Sequence, residues 1–346
     1  MRWIPSCLAA ATLFSALPAG LAESLENTHR PHRSFRFTYS AGVKDVPADA
    51  QELRIWVPLP VDTRDQTIGE ATVKLTLGDA SAVERAAEIE KVRELGGTPV
   101  KVWVRNVGNG FGRTLCVGTP GKPVGIELAY DVTRYETRGG GAAGAEELGR
   151  ALQADKMVPL GGKVSAMAEG LETKPESPEA ARALYDHILE RMRYDKPQDG
   201  GKWGRGDSEW ACEACYGNCT DFHSYFMGLA RTKKIPARFE MGFSIPGGPE
   251  TEAAVSGYHC WAYFWQEGRG WVPVDISEAD KHPEKTEYFF GTLDADRFTV
   301  SGGRDLVVEP APAQGPLNFL AYPYVEVDGK THAGIEKSFK RTNLSN

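Results

Sequence analysis

The chain holds 346 residues, 41% of them hydrophobic, 10% aromatic and 25% charged, and carries a formal charge of −7 at pH 7. Such a composition builds substantial cores and excludes a disordered or low-complexity chain. The acidic balance argues against nucleic acid as a partner, and after the first residues no segment approaches the ~20 apolar residues of a membrane-spanning helix.

At the start, Arg2 precedes an apolar run from Cys7 to about Leu17, and Gly20, Leu21 and Ala22 offer small residues for cleavage before Glu23. This is the pattern of a secretory signal peptide over residues 1–22, and it predicts an exported chain, periplasmic or secreted. Removing it takes Arg2 from the count and moves the net charge from −7 to −8. The remainder is long enough for two domains.

Residues 30–137 contain runs that alternate as strands do: 35–39, 53–57, 73–77, 100–104 and 126–130. They predict a β-sandwich-like domain. The charged, alanine-rich piece at 81–95 reads either as a short helix or as a loop. No chemical constellation occurs in this half, so a structural or substrate-positioning role is expected of it. Glycine density at residues 138–144 predicts a linker.

Residues 145–346 read as the catalytic domain. Helices are expected at 146–156 and 163–171, and a third begins with Ser177 as N-cap and Pro178 at the first helical position. That helix sets Ala181, Leu184, Ile188 and Met192 on one stripe, which should pack under the helix that follows. A loop over residues 197–211 makes a plausible wall for a cleft. Further on, 297–300 and 305–308 read as strands of one sheet, and residues 317–327 as a tail that packs back on a domain.

The chemistry concentrates between residues 218 and 275. Asn218 is a good N-cap, and Phe222, Phe226 and Leu229 follow at helical spacing, so Cys219 opens a helix. There, unpaired N–H groups and the macrodipole favour a thiolate, and the same N–H groups can hold an oxyanion. His259 lies in a run alternating as a strand, and Asp275 ends a second one. Between them, residues 266–270 read as a glycine-rich hairpin turn. An odd turn places His259 and Asp275 on one face of the sheet; an even turn separates them. A thiol needs a lowered pKa, a nearby imidazole and a partner that fixes the imidazole tautomer, and these residues supply a candidate for each.

The motifs GNCTDFHSYFMGLAR, KIPAR, GYHCWAYFW and GWVPVDIS together resemble the core of the transglutaminase-like superfamily, over roughly residues 145–300. The resemblance implies an α+β fold in which a papain-like core of helices on an antiparallel sheet follows the β-sandwich-like domain. It implies Cys219 as nucleophile, His259 as general base and Asp275 as its orienting partner. The expected reaction is acyl transfer through a Cys219 thioester on peptide or protein amides, possible substrates including cell-wall peptide. Release by water makes a protease or amidase, release by an amine a transglutaminase, and water is favoured because it is always present. The alternative is a noncatalytic peptide- or protein-binding module on the same fold. No cofactor or calcium-loop motif occurs, and thiol acyl transfer needs neither.

Other residues have competing readings. Trp210 or Trp203 could lend an indole N–H to an oxyanion, although either is more often an aromatic packing residue. His223, four residues after Cys219, competes for the base role or makes a structural hydrogen bond. Cys212 and Cys215 have CxxC spacing, and with Cys219 and Cys260 they could hold zinc. In an exported protein disulfides are the more expected use of Cys116, Cys212, Cys215 and Cys260, in any of three pairings. Asn218-Cys-Thr220 and Asn343-Leu-Ser345 are glycosylation sequons where the host glycosylates, and a glycan at Asn218 would obstruct the site.

Overall fold

Alternation decides the first element. In β1 (His32–Val43) Phe35, Phe37, Tyr39, Ala41 and Val43 are buried while the residues between them are not, as a strand with one face on a core requires. The computed structural model describes residues 30–91, 93–172, 178–198 and 201–344. The signal-peptide reading of residues 1–22 and the Ser177 cap lie outside the described residues.

The further strands of the first half are β2 (Leu53–Leu59), β3 (Gln66–Leu77), β4 (Ala80–Arg85), β5 (Lys101–Asn106), β6 (Gly108–Phe111), β7 (Arg113–Thr119) and β8 (Gly125–Tyr135). Helices α1 (Ala145–Arg150), α2 (Gly162–Gly170), α3 (Pro178–Arg191), α4 (Ser208–Ala214) and α5 (Cys219–Thr232) come next. Then follow β9 (Ala237–Ser244), β10 (Glu252–Ala254), β11 (Tyr258–Gln266), β12 (Gly270–Val274), α6 (Ile276–Lys281), β13 (Arg297–Val307), β14 (Tyr324–Val327), β15 (Lys330–Thr331) and β16 (Ile335–Asn343).

Three antiparallel sheets carry the architecture. One has the order β10-β16-β1-β8-β3-β4, a second β15-β14-β2-β7-β5, and the third β12-β11-β9-β13-β6. The third holds the site. On one face it receives α5, where the Phe226 and Phe264 rings lie 6.2 Å apart. Its other face meets the six-stranded sheet, because Phe37 of β1 packs 4.9 Å from Phe243 and 4.7 Å from Phe298. Each such fully buried aromatic ring contributes roughly 2–3 kcal/mol from apolar burial. Residues from Pro31 onward form one compact unit. Among the described residues no helix is long and apolar enough to cross a membrane.

Several expectations need correcting. Residues 80–85 form strand β4, paired with β3 as an edge of its sheet, where charged side chains fit on the solvated side. Strand β7 was not anticipated at all, yet it is buried almost throughout. Residues 297–307 are one strand rather than two: Ser301-Gly-Gly-Arg304 looks like a turn, but the sheet absorbs it as a bulge opposite β6, with Gly303 at φ +100°. The tail does pack back, through β14 on β2 and β16 on β1, so the strands near the end of the chain complete the sheets of its first half. Helix α1 stops at Arg150, and the loop at 197–211 ends at Asp207, which accepts hydrogen bonds from the Glu209 and Trp210 amides to start α4. Residues 138–144 are tied to the site sheet by paired backbone hydrogen bonds between Gly140 and Trp271, at 3.0 and 3.1 Å. Of the cysteines expected in disulfides, Cys116, Cys212, Cys215 and Cys260 are all free, as is Cys219.

Candidate active site

Helix α5 begins where Asn218, in extended conformation, caps it. The Asn218 side chain accepts from the Thr220 amide at 2.9 Å, and the Asp221 carboxylate accepts from the Asn218 amide at 3.0 Å. This capping box fixes Cys219 at the first helical position. Among the described residues no hydrogen bond uses the Cys219 N–H, which is one of the donors a helix start leaves open. Asp221 does more than cap. It also accepts the Gly204 amide at 2.6 Å and the Gly206 amide at 3.1 Å, pinning that loop against the helix start. Burial outweighs these donors and pushes its carboxyl up to about 6. Buried Arg304 ties the same loop down, reaching the Gly206 carbonyl at 2.9 Å, Ser224 at 2.6 Å and Asn318 at 2.7 Å.

On the sheet, β11 and β12 are joined by a three-residue turn, 267–269, between the paired Gln266 and Gly270. The odd count puts His259 and Asp275 on one side, and His259 Nε2 lies 2.6 Å from Asp275 Oδ2. Asp275 also caps α6, its Oδ1 accepting from the Glu278 amide and the Ser277 hydroxyl at 3.0 Å each. A fourth residue joins them. Arg297 of β13 donates to Asp275 Oδ2 at 2.6 Å, and both side chains are buried. Sequence reasoning placed Arg297 on a strand without seeing this contact, which no local pattern signals.

The electrostatics polarise the group. Burial alone would raise the Cys219 thiol, but hydrogen bonds from Cys260 and His259 and the charge on His259 bring it well below the ordinary thiol range. Burial likewise opposes the imidazolium of His259; the Asp275 carboxylate and its hydrogen bond, with the Cys219 contact, push His259 up to about 10. Asp275 is held well below the usual carboxylate range despite burial, by His259 and Arg297. A thiolate–imidazolium pair results. It is nearly closed over: Cys219 is 2% and His259 5% exposed.

His223 is not free to act as the base. Its Nε2 accepts from the Ile276 amide at 3.1 Å, its Nδ1 lies 3.6 Å from Cys260 Sγ, and burial lowers its pKa, so it is neutral and structural. Trp203 commits its indole proton to the Pro197 carbonyl at 2.9 Å. The Trp210 ring packs edge-on against Tyr216 at 5.4 Å. His259, Asp275 and Glu278 bring ligand atoms within 4.8 Å of one another, but Arg297 already sets a positive charge on the same Asp275 oxygen, which disfavours a cation there. The Asn218 side chain is buried and doubly bonded, leaving no room for a glycan. At the second sequon Asn343 donates to the Glu250 carbonyl at 3.0 Å, and Ser345 lies outside the described residues.

Residues 165–276 match the family model described as the transglutaminase-like superfamily. Over those residues the chain is similar to that superfamily. An uncharacterized protein of Haemophilus influenzae is 29% identical over 256 residues, which cover 64% of this chain; the chain thus spans 64% of the length of that relative. Among solved structures, a candidate cysteine protease from Cytophaga hutchinsonii superposes with a TM-score of 0.52 at 12% identity, covering 91% of this chain and 94% of that one. The likeness is one of fold. The periplasmic domain of TgpA from Pseudomonas aeruginosa gives a TM-score of 0.37 at 14% identity, over 72% of this chain and 96% of that one. The transglutaminase-like fold is that of a thiol-dependent enzyme family, and here its helix start, strand and strand end carry Cys219, His259 and Asp275.

Proposed function

We propose that the chain is an exported acyl-transfer enzyme acting on peptide or protein amides, with Cys219 as nucleophile, His259 as acid and base, and Asp275 holding His259 in place. The observation that carries this reading is the buried line from Cys219 through His259 and Asp275 to Arg297, in which each group stabilises the charge of the next. With Nε2 engaged by Asp275, the other imidazole nitrogen serves the thiol. The thiolate adds to the amide carbonyl and the oxyanion faces the open Cys219 N–H. As the C–N bond breaks, His259 gives its proton to the departing amine, leaving a thioester. Water, deprotonated by His259, then attacks the thioester and regenerates the thiol. An amine in place of water would give transamidation; hydrolysis is favoured because water is always present and no feature excludes it. The leader-like residues 1–22 support export.

The test is iodoacetamide alkylation of Cys219 across pH, mapped by mass spectrometry, in wild type and His259→Ala. Thiolate reactivity should persist well below the ~8.5 of a free thiol and move upward in the variant, since the remaining burial disfavours charge. Acyl transfer itself should be lost as pH rises through about 10, where His259 gives up its proton. An ordinary thiol profile, unchanged by His259→Ala, would sink the proposal.

A further inference from the structure

An oxyanion hole needs two donors, and the open Cys219 N–H is one. A hydroxyl beside it is carried by the first residue of β11. Tyr258 Oη lies 2.9 Å from Asn218 Nδ2 and 3.1 Å from Thr220 Oγ1, so it touches both residues flanking Cys219. Proton accounting then follows. Asn218 Oδ1 accepts from the Thr220 amide, which fixes the side-chain amide with its NH2 toward the phenol. Thr220 Oγ1 makes the other contact, and with Thr220 as its donor the phenol's own proton stays unspent. The Tyr258 oxygen accepts twice and keeps its own proton to give.

The hydroxyl is also held and approachable. The Tyr258 ring is half-buried, packed 5.9 Å from Phe319 and 5.1 Å from Tyr322, and its amide donates to the Tyr322 hydroxyl at 3.2 Å. Burial and the nearby Cys219 charge keep the phenol protonated. Beside it stands Gly204, where a Cβ would lie 3.2 Å from Asn218 Nδ2 and 3.7 Å from Tyr258 Oη. Its lack of a side chain leaves that space open.

We propose that the Tyr258 hydroxyl is the second oxyanion donor. The inference rests on the acyl-transfer reading of Cys219. As the S–C bond forms, the carbonyl π pair moves to oxygen, and that oxygen accepts from the Cys219 N–H and the Tyr258 O–H. No proton is transferred, and the pair returns when the leaving group departs.

The probe is p-nitrophenyl acetate hydrolysis by wild type, Tyr258→Phe and Cys219→Ala, alongside iodoacetamide alkylation. Phenylalanine keeps the ring packing. Tyr258→Phe should lower kcat roughly a hundredfold with little change in KM. Alkylation of Cys219 should hold its wild-type rate, because displacement of iodide builds no oxyanion. If Tyr258→Phe stays within about threefold of wild type while Cys219→Ala is inactive, the donor role is overturned and the acyl-transfer reading stands. If alkylation falls as far as hydrolysis, Tyr258 only positions the thiolate, and the donor role is again overturned. Should Cys219→Ala match wild type, the reading of Cys219 fails and this inference with it.

Discussion

Arg297 is a guanidinium with two carboxylates to serve, Asp275 on one arm and Asp294 on the other, and almost no access to water. Burying Asp275 without it would leave the carboxylate to be balanced by His259 alone, and cutting one partner from a buried pair is costly. Arg297→Met should therefore lower unfolding stability by about 3–5 kcal/mol, read from urea midpoints. Arg297→Lys should recover only part of the loss, since an ammonium cannot span both carboxylates as the planar fork does. Equal stability of wild type and Arg297→Met would remove Arg297 from the account of how Asp275 is held. The contact also shows where reading residues in order stops. Cys219, His259 and Asp275 each sit on a feature with a local signature, namely a cap, an alternating run and a strand end. Arg297 and Tyr258 take up their contacts only once β13 and β11 lie beside the helix start.

Among the elements, β9 is the one that sets the spacing of the site sheet. Gly242 pairs with His259 on one side and Thr299 on the other, and a Cβ there would stand 1.9 Å from the Phe298 carbonyl oxygen. A methyl group cannot be accommodated without moving the backbone of β13, the strand that carries Arg297. Gly242→Ala should cost about 3 kcal/mol, at the upper end of overpacking, whereas Gly247→Ala, with open space around it, should be near neutral by the same denaturation measurement. If the two behaved alike, the close approach of β9 and β13 would not be what sets the sheet. The elements were legible to differing degrees for a physical reason. The alternation of β1 and the stripe of α3 are strong because one face of each is buried. Strand β4 is an edge with no buried position, and the two glycines in the middle of β13 mimic a turn, so both were misread.

Across the whole molecule, Phe339 is the residue on which the sheets converge: its ring lies 4.9 Å from Tyr39, 4.6 Å from Phe243 and 5.7 Å from Tyr322. Strands β16, β1 and β9 thus share one aromatic cluster. Phe339→Ala should lower stability by about 3–5 kcal/mol in one cooperative transition, with intrinsic fluorescence and Cys219 alkylation reporting the same midpoint. Separate midpoints would mean that the site sheet unfolds independently of the six-stranded sheet. This level was the least legible, because the register between Phe35 and Asn343 leaves no trace in either stretch of sequence.

The same pairing governs the order in which the protein can be finished. The site sheet borrows β6 from the first half, and the six-stranded sheet lacks β10 and β16 until residues 252–343 are available. A chain emerging from a ribosome or an export channel therefore holds Cys219 before it holds the strands that back β11 and β13. Long-range pairing of this kind is slow to form. The residues that create the thiolate, His259, Asp275 and Arg297, all follow Cys219 in the chain, so a partly made chain that lacks them carries an ordinary thiol.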